Sequence, residues 1–448
     1  MINIKLSQFL TNKILFSFGS KNSVAYHIKR LSRIENMSKD EIEEIKRAKL
    51  NKLLEYLKSE NGYYKKHLEN VDIDSEKDIF NILGKLPILE KKDLSSHDLV
   101  YSNKKDLVKL SSSGSSGIRS VCYLSKDEIN LDRALQITWW KWAGVEFGKP
   151  IFQTGNNKRG LFKSFKDFIF NTNYYPAFDL NNQEIYRAIT QHQSGGALCG
   201  YASSLYVISN ACKEDVRLKD KFTTAVSWGD KLFPHYREKI KEVFGVNVYE
   251  TYGCSEGIKI CAQYDSDYMY IMSTNVIVEI VDDFGNVLPD GEMGHILLTS
   301  LDRYAMPMVR YRIGDLGIIL PKEEYPESLK LNYPLMKKVI GRDTDIVILP
   351  NQNKLTVHTF TAIFEYIEQV KQFRVIQNDY NDILVELILN EGFNFKDTVD
   401  VIYPILESVL GNEAHVFKFV EVNNIPNTPS GKPQLILNEL LKKIHSEA

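Results

Sequence analysis

Tyr249-Glu250-Thr251-Tyr252-Gly253-Cys254-Ser255-Glu256-Gly257 follows directly on Gly245-Val246-Asn247-Val248, a short run of strand character. A strand ending in a glycine-containing loop that carries an aromatic ring, a hydroxyl and a carboxylate gathers three ligand-binding chemistries at one point. Tyr252 suits stacking on a base, Ser255 a bond to a phosphate oxygen, and Glu256 the binding of Mg2+, a hard cation that takes carboxylate oxygen. On local sequence alone Glu256 reads equally as a plain surface carboxylate.

Upstream of this stretch, helical signals dominate. Ser38-Lys39-Asp40-Glu41 has the spacing of a capping box, and Ile42, Ile45, Leu50, Leu53, Leu54 and Leu57 then fall on one broad helical face. Residues 126–142 read as a helix ending in Trp139, Trp140 and Trp142, a cluster expected in the core. Downstream, Asn275–Val281 alternates, turn residues break the run at Asp283-Phe284-Gly285-Asn286 and Pro289-Asp290-Gly291, and His295–Thr299 resumes it, the signature of hairpins. The pattern predicts an α/β fold: a large N-terminal body of several subdomains over residues 1–340, closing with a β-rich part. A small α+β C-terminal domain follows over 341–448. In it, Val375-Ile376 and Ile383-Leu384-Val385 read as strands, and 399–410 and 435–445 as helices.

Three further stretches carry candidate chemistry. Ser111-Ser112-Ser113-Gly114-Ser115-Ser116-Gly117-Ile118-Arg119-Ser120 cannot hold a regular element, and its glycine-exposed amides and hydroxyls suit the oxygens of a polyphosphate. A flexible linker is the other reading, although it would split a compact α/β region. The run is not a P-loop, because no lysine follows Gly117. Arg310-Tyr311-Arg312-Ile313-Gly314-Asp315-Leu316-Gly317 places Asp315 in an expected turn, where its carboxylate suits both hydroxyls of a ribose or merely forms the turn. Asn427-Thr428-Pro429-Ser430-Gly431-Lys432-Pro433 is a breaker-rich loop presenting one lysine.

Composition excludes several classes. The 448 residues hold 56 Lys+Arg and 58 Asp+Glu, a net charge of −2, so a broad nucleic-acid footprint is not expected. With 43% hydrophobic and 25% charged residues the chain reads as an ordinary folded protein of about two to four domains. The 5 cysteines are spread, unpaired by spacing and apart from histidine clusters, which fits a reducing, cytoplasmic setting. Lys5, Gln8, Asn12 and Lys13 interrupt the first apolar runs, and no stretch is long enough for a membrane span. The first 20 residues read as a surface helix, with contact at a membrane interface as the alternative.

In joint order and spacing these motifs resemble the adenylate-forming superfamily of acyl-CoA synthetases, adenylation domains and luciferases. They come nearest its branch of phenylacetate-CoA ligases and capsular-biosynthesis adenylyltransferases. The Ser112–Gly117 run is similar to that family's phosphate loop, and Tyr252-Gly253-Cys254-Ser255-Glu256 to its Tyr-Gly-x-Ser/Thr-Glu motif. Pro307-Met308-Val309-Arg310-Tyr311-Arg312-Ile313-Gly314-Asp315 resembles its Pro-x-x-Arg-Tyr-x-x-Gly-Asp segment, Gly341-Arg342 its hinge, and Ser430-Gly431-Lys432 its catalytic-lysine loop. Cys199–Leu205 and Ser227-Trp228-Gly229-Asp230 resemble its Gly-Tyr-x-Ser and Ser-Gly-Glu segments. The departures are Ser120 after Arg119 where many members carry lysine, Asp230 in place of glutamate, and Asp343-Thr344-Asp345 after the hinge arginine. No histidine follows Cys261 where some members bind zinc, so no structural zinc is expected.

The resemblance implies ATP-dependent activation of a carboxylic acid to an acyl-adenylate. Ser112, Ser113, Gly114, Ser115, Ser116 and Gly117 would hold the β- and γ-phosphates, and Glu256 the Mg2+. Gly229, Asp230, Tyr252 and Gly253 would frame the adenine, Ser255 the α-phosphate, and Asp315 and Arg342 the ribose side. Lys432 would be the catalytic lysine on a mobile C-terminal domain. Tyr201, Trp228 and Phe178 would line the acyl pocket or simply belong to the core. Coenzyme A is the expected acceptor, with a phosphopantetheinyl carrier protein or an amine as alternatives. A non-catalytic nucleotide-binding relative is a further alternative, and a homodimer is left open.

Overall fold

The structure, a computed structural model, describes residues 4–17, 20–73, 80–100, 107–111, 121–155, 166–176, 181–342, 345–364, 367–426, 434–441 and 443. The helix Lys39–Glu60 begins where expected: Glu41 N donates to Ser38 Oγ at 3.3 Å, and Ser38 N to Glu41 Oε2 at 2.7 Å. Its Leu50, Leu53, Leu54 and Leu57 are fully buried. A second capping box, Ser125 with Glu128, opens the helix Lys126–Trp142, whose Trp139, Trp140 and Trp142 all lie in the core.

Strands β1 (Val108–Ser111) and β2 (Val121–Leu124) form an antiparallel pair. The main sheet comprises β3 (Ile151–Gly155), β4 (Thr172–Pro176), β5 (Gly196–Tyr201), β6 (Phe222–Trp228), β7 (Val248–Gly253), β8 (Lys259–Gln263), β9 (Met269–Ile271), β10 (Val276–Val281), β11 (Gly294–Ser300), β12 (Tyr311–Ile319) and β13 (Leu335–Arg342). Its order is β10-β11-β12-β13-β9-β8-β7-β6-β5-β3-β4. The pairs from β4 through β3, β5 and β6 to β7 are parallel, and the pairs β7-β8 and β8-β9 are antiparallel. Parallel neighbours need helical crossovers. Here Ala202–Cys212 links β5 to β6 and Pro234–Phe244 links β6 to β7. The latter helix starts on a proline and stops at Gly245, whose φ of +72° suits glycine. Leu198, Leu205, Ala225, Ile240 and Phe244 form the core under this block.

The chain divides into two compact units: residues Met1–Glu292, Leu297–Ile313 and Ile319–Lys337, and residues Met293–Ile296, Gly314–Ile318 and Lys338–Ala448. In the second unit β14 (Ile346–Ile348) pairs with β15 (Lys354–Thr356). A four-stranded sheet joins β16 (Val370–Asp379), β17 (Asp382–Leu389), β18 (Phe417–Glu421) and β19 (Ile436–Asn438) in the order β18-β17-β16-β19. The buried Gln377 takes Ile348 N on its Oε1 at 2.8 Å and gives its Nε2 to Ile348 O at 2.6 Å; Asn438 Nδ2 also donates to Gln377 Oε1, at 2.8 Å. These bonds tie β14, β16 and β19 together.

Two local readings change. Residues 436–438 are the strand β19, parallel to β16, because Ile436 fills the core beside Val375. Asp315 lies within β12 rather than in a turn: Gly314, at φ +78°, absorbs the irregularity, and Leu316 continues the buried face.

Candidate active site

Three of the motifs fall at the carboxyl ends of adjacent parallel strands. Tyr201, the last residue of β5, sits opposite Trp228, the last of β6, and Ser227 sits opposite Glu250 of β7. Gly229-Asp230 and Tyr252–Glu256 therefore continue from neighbouring strand ends, the edge where open α/β sheets hold ligands.

The Tyr252–Glu256 stretch runs off β7 into the tight turn that begins β8. Cys254 N donates to Ile258 O at 3.0 Å and Gly257 N to Cys254 O at 3.0 Å. Gly257 has φ +82°, and a Cβ there would lie 3.0 Å from Arg303 Nη2 and 3.2 Å from Leu110 Cδ1. The turn leaves Ser255 exposed and turns Glu256 inward, only 4% exposed. Ser255 Oγ donates to Glu256 Oε1 at 3.2 Å. The buried Tyr311 hydroxyl donates to the same carboxylate, and burial with that charge beside it pushes the Tyr311 phenol far above its ordinary value. Burial, helped by Glu256, pushes the Cys122 thiol up to about 12 and raises the Cys254 thiol as well, so neither acts as a thiolate at neutral pH. Arg303 is buried. Its Nη2 has no hydrogen-bond partner among the described residues and lines, with Gly257, Asp132 and Asp302, a cavity of about 30 Å³. That is room for a water or two.

Ser112, Ser113, Gly114, Ser115, Ser116 and Gly117 lie outside the described residues, as do Phe178 and Lys432. The strands flanking the Ser/Gly run are described. Ser111 pairs with Val121, so the ends of the run are held together. Leu110 on one flank touches the Gly257 position, and Cys122 on the other feels the Glu256 charge. Leu110 and Cys122, on the strands that flank the run, thus both stand beside the Glu256 turn.

Asp230 does a structural task. Its carboxylate accepts Ala202 N at 2.6 Å, Ser203 N at 3.2 Å and the Ser203 hydroxyl, capping a helix whose Tyr201 N-cap offers no side-chain bond. Gly229 beside it is exposed at φ +82°, and a Cβ there would strike the Tyr201 ring at 2.5 Å. Glu250 fixes the same loop from below by accepting Leu232 N; burial raises its pKa, and Arg237 and Lys231 hold that rise back. Trp228 stacks on Trp140, with centroids 5.8 Å apart.

In the second unit, Asp315 on β12 and Arg342 on β13 come together, with Arg342 Nε 3.2 Å from Asp315 Oδ1. Gly341, at φ +134°, sets the backbone before the arginine. The two residues come from separate sequence motifs, both expected on the ribose side. The sequence reading passed over Arg303, the Tyr311 hydroxyl and Glu250 as site residues, and Arg303 lies in an ordinary polar stretch where no local pattern marks it.

A family profile described as the CapK C-terminal domain matches residues 347–439. Protein CapK of Staphylococcus aureus is 21% identical over 415 residues, covering 89% of this chain and 89% of its own. Phenylacetate-coenzyme A ligase of Pseudomonas putida is 32% identical over 163 residues, 35% of this chain and 34% of its own. The crystal structure of 2-hydroxyisobutyryl-CoA ligase in the postadenylation state, in complex with R3-HIB-AMP, has a TM-score of 0.72 at 16% identity, covering 93% of this chain and 94% of that one. Residues 347–439 thus carry the CapK C-terminal domain, and in fold, motif order and these relatives together the chain is similar to the adenylate-forming superfamily, on the side of phenylacetate-CoA ligase and CapK.

Proposed function

We propose that this protein activates a carboxylic acid with ATP and passes the acyl group to coenzyme A. A carboxylate oxygen attacks the α-phosphorus, the bond to the β-phosphate oxygen breaks, and pyrophosphate leaves. The thiolate then attacks the acyl carbon of the adenylate, AMP departs, and the thiol proton goes to solvent. The observation that carries this reading is the buried Glu256, set in a turn at the carboxyl edge of the parallel strands with both flanks of the Ser/Gly run against it. Relatives named as CoA ligases support the choice of acceptor, including a 2-hydroxyisobutyryl-CoA ligase solved with 2-HIB-AMP and CoA.

On this reading Tyr252 stacks on the adenine, while Gly229 and Gly253 offer exposed backbone to its edge. Asp230 is a positioning residue that locks this loop onto the helix Ala202–Cys212. Ser255 meets the α-phosphate, and Ser112–Gly117 wrap the outer phosphates. Among the described residues no group of three or more His, Cys, Asp or Glu forms a metal cage. Glu256, a buried carboxylate at this strand edge, is the residue that would hold Mg2+, a hard cation that takes carboxylate oxygen. Bound there, Mg2+ would neutralise charge on the phosphates. Asp315 accepts the ribose hydroxyls with Arg342 at its side, and Lys432 bridges the carboxylate and the α-phosphate as charge shifts.

A carrier-protein phosphopantetheine thiol or an amine is the alternative acceptor. Acid-dependent ATP–pyrophosphate exchange across aryl, fatty, hydroxy and amino acids tests the activation step. Exchange with one acid class, lost in Lys432→Ala, supports it; AMP release that requires coenzyme A selects the acceptor. Nucleotide binding without exchange for any acid would favour the non-catalytic relative.

A further inference from the structure

The helix Ile4–Asn12 packs in the reverse sense to an ordinary amphipathic helix. Ser7 and Thr11 are fully buried, while Leu6 and Phe9 are 50% and 54% exposed, and Ile14 in the next turn is 47% exposed. Small groups fix this orientation. Ser7 Oγ donates to Ile169 O at 2.6 Å, and the helix backbone approaches Gly148 so closely that a Cβ there would lie 2.5 Å from Gln8 Cα. Phe168, next to Ile169, is itself 53% exposed, so apolar surface continues beyond the helix. Single exposed apolar residues are ordinary, but a row turned outward beside a buried polar row is not.

The charged residues of this first segment all have one sign in sequence. Residues 1–34 hold Lys5, Lys13, Lys21, Lys29, Arg30 and Arg33 and no acidic residue, a formal +6 in a chain whose net charge is −2. Lys13 Nζ lies 4.7 Å from the centre of the Phe9 ring, which places cation and apolar group side by side. Three acids of other elements are engaged: Glu146 with Lys149 at 2.7 Å, Asp127 with His27 at 2.8 Å, and Glu35 with Trp142 Nε1 at 2.7 Å. Asp167 is the acidic side chain next to Phe168 in sequence.

We infer that this face docks on an anionic lipid surface. Leu6, Phe9, Ile14 and Phe168 enter the boundary between headgroups and acyl chains, and the basic side chains meet lipid phosphates. Charge complementarity selects this occupant, since a second copy of the face would set Lys5 and Lys13 against their own counterparts. The inference is independent of the proposed acyl activation.

The test is sedimentation of the full chain with vesicles of phosphatidylcholine alone and of phosphatidylcholine with 30% phosphatidylglycerol, a composition chosen on the order of natural anionic content. Binding is expected to the anionic vesicles only. It should weaken by about tenfold or more in the Leu6→Ser/Phe9→Ser variant and fall similarly for Lys5→Glu/Lys13→Glu or at high salt. Because the substituted side chains are exposed, the thermal transition of both variants should match that of the wild type, and this separates lost docking from lost folding. Equal sedimentation of wild type and Leu6→Ser/Phe9→Ser, or no binding to anionic vesicles, overturns the inference. So does a dimer in solution that Leu6→Ser/Phe9→Ser converts to monomer.

Discussion

Replacing Arg310 with methionine should destabilise the first unit severely and in a pH-dependent way. Arg310 is 5% exposed, and its Nε lies 3.1 Å from Oε1 of Glu279, itself only 10% exposed. Nη2 donates to Gly285 O at 2.9 Å and Nη1 to Leu86 O at 3.3 Å. The residue adopts φ +49°, a conformation that costs a non-glycine residue on the order of 1 kcal/mol and persists only when contacts over-determine it. Methionine fills similar volume but leaves a buried carboxylate and two carbonyl oxygens without their donor. Breaking a buried pair from one side costs about 3–5 kcal/mol. That is a large share of a domain's total stability of roughly 5–15 kcal/mol. Burial already raises the Glu279 pKa, and Arg310 holds it down. Without the arginine it climbs further, so the variant's Glu279 takes up a proton more readily than its unfolded form. A raised carboxylate is tolerated below its unfolded value, and stability is lost as pH rises through the folded value. The cost of Arg310→Met should therefore be largest at pH 8 and shrink toward pH 5. All 4 tryptophans, Trp139, Trp140, Trp142 and Trp228, lie in the first unit, so urea unfolding followed by tryptophan fluorescence reads that unit. Adding Glu279→Gln to the variant should recover part of the loss at pH 8. A cost below about 1 kcal/mol, or an equal cost at both pH values, would refute the reasoning.

Three shorter expectations follow from the same geometry. His192, buried among Phe152 and Phe222 with Nδ1 accepting from Asn173 Nδ2 at 2.9 Å, is held down to about 4, mainly by burial. The unfolded chain binds a proton there first, so stability falls as pH drops from about 6.5 to about 4, by up to about 3 kcal/mol; His192→Gln should flatten that fall, and an unchanged acid titration of stability would count against it. Gly257→Ala forces φ +82° on a side chain and crowds Arg303, and should cost about 1–3 kcal/mol in thermal unfolding while displacing the Glu256 turn; a neutral substitution would mean the turn is not tight. Asp315→Asn should raise the KM for ATP by about tenfold or more with little change in stability. Its pair with the half-exposed Arg342 contributes little to folding, so a large loss of stability without a change in KM would make Asp315 a structural residue.

The fold was legible where local signals and burial agree. Ser38 and Ser125 start their helices because the capping glutamate stands three residues on, and the three tryptophans of Lys126–Trp142 bury as their spacing implies. It was illegible where tertiary pairing overrides local chemistry. Gly314-Asp315 reads as a turn, yet β12 runs through it because one positive-φ glycine accommodates the pair. Leu435–Asn438 reads as helix, yet pairing with β16 makes it a strand. In the site, the Tyr252–Glu256 turn announces itself by its mixture of ring, hydroxyl, carboxylate and glycine. The company it keeps does not. Cys122, Arg303 and Tyr311 reach Glu256's surroundings from distant elements, and Arg310, which the sequence grouped with the site motifs, proves to be a buried strut. Asp230 shows the converse: a residue marked by motif position whose carboxylate is taken up in capping a helix.

The central claim is that the Glu256 turn holds the phosphates of ATP during transfer to a carboxylate. ATP–pyrophosphate exchange with the preferred acid, in wild type, Glu256→Gln and Lys432→Ala, tests it most directly. Exchange should fall by about 100-fold or more in Glu256→Gln, with nucleotide product AMP and an unchanged fluorescence unfolding curve. Lys432→Ala should lose exchange while still binding ATP. Exchange in Glu256→Gln within about threefold of wild type, or ADP as the nucleotide product, would contradict the account.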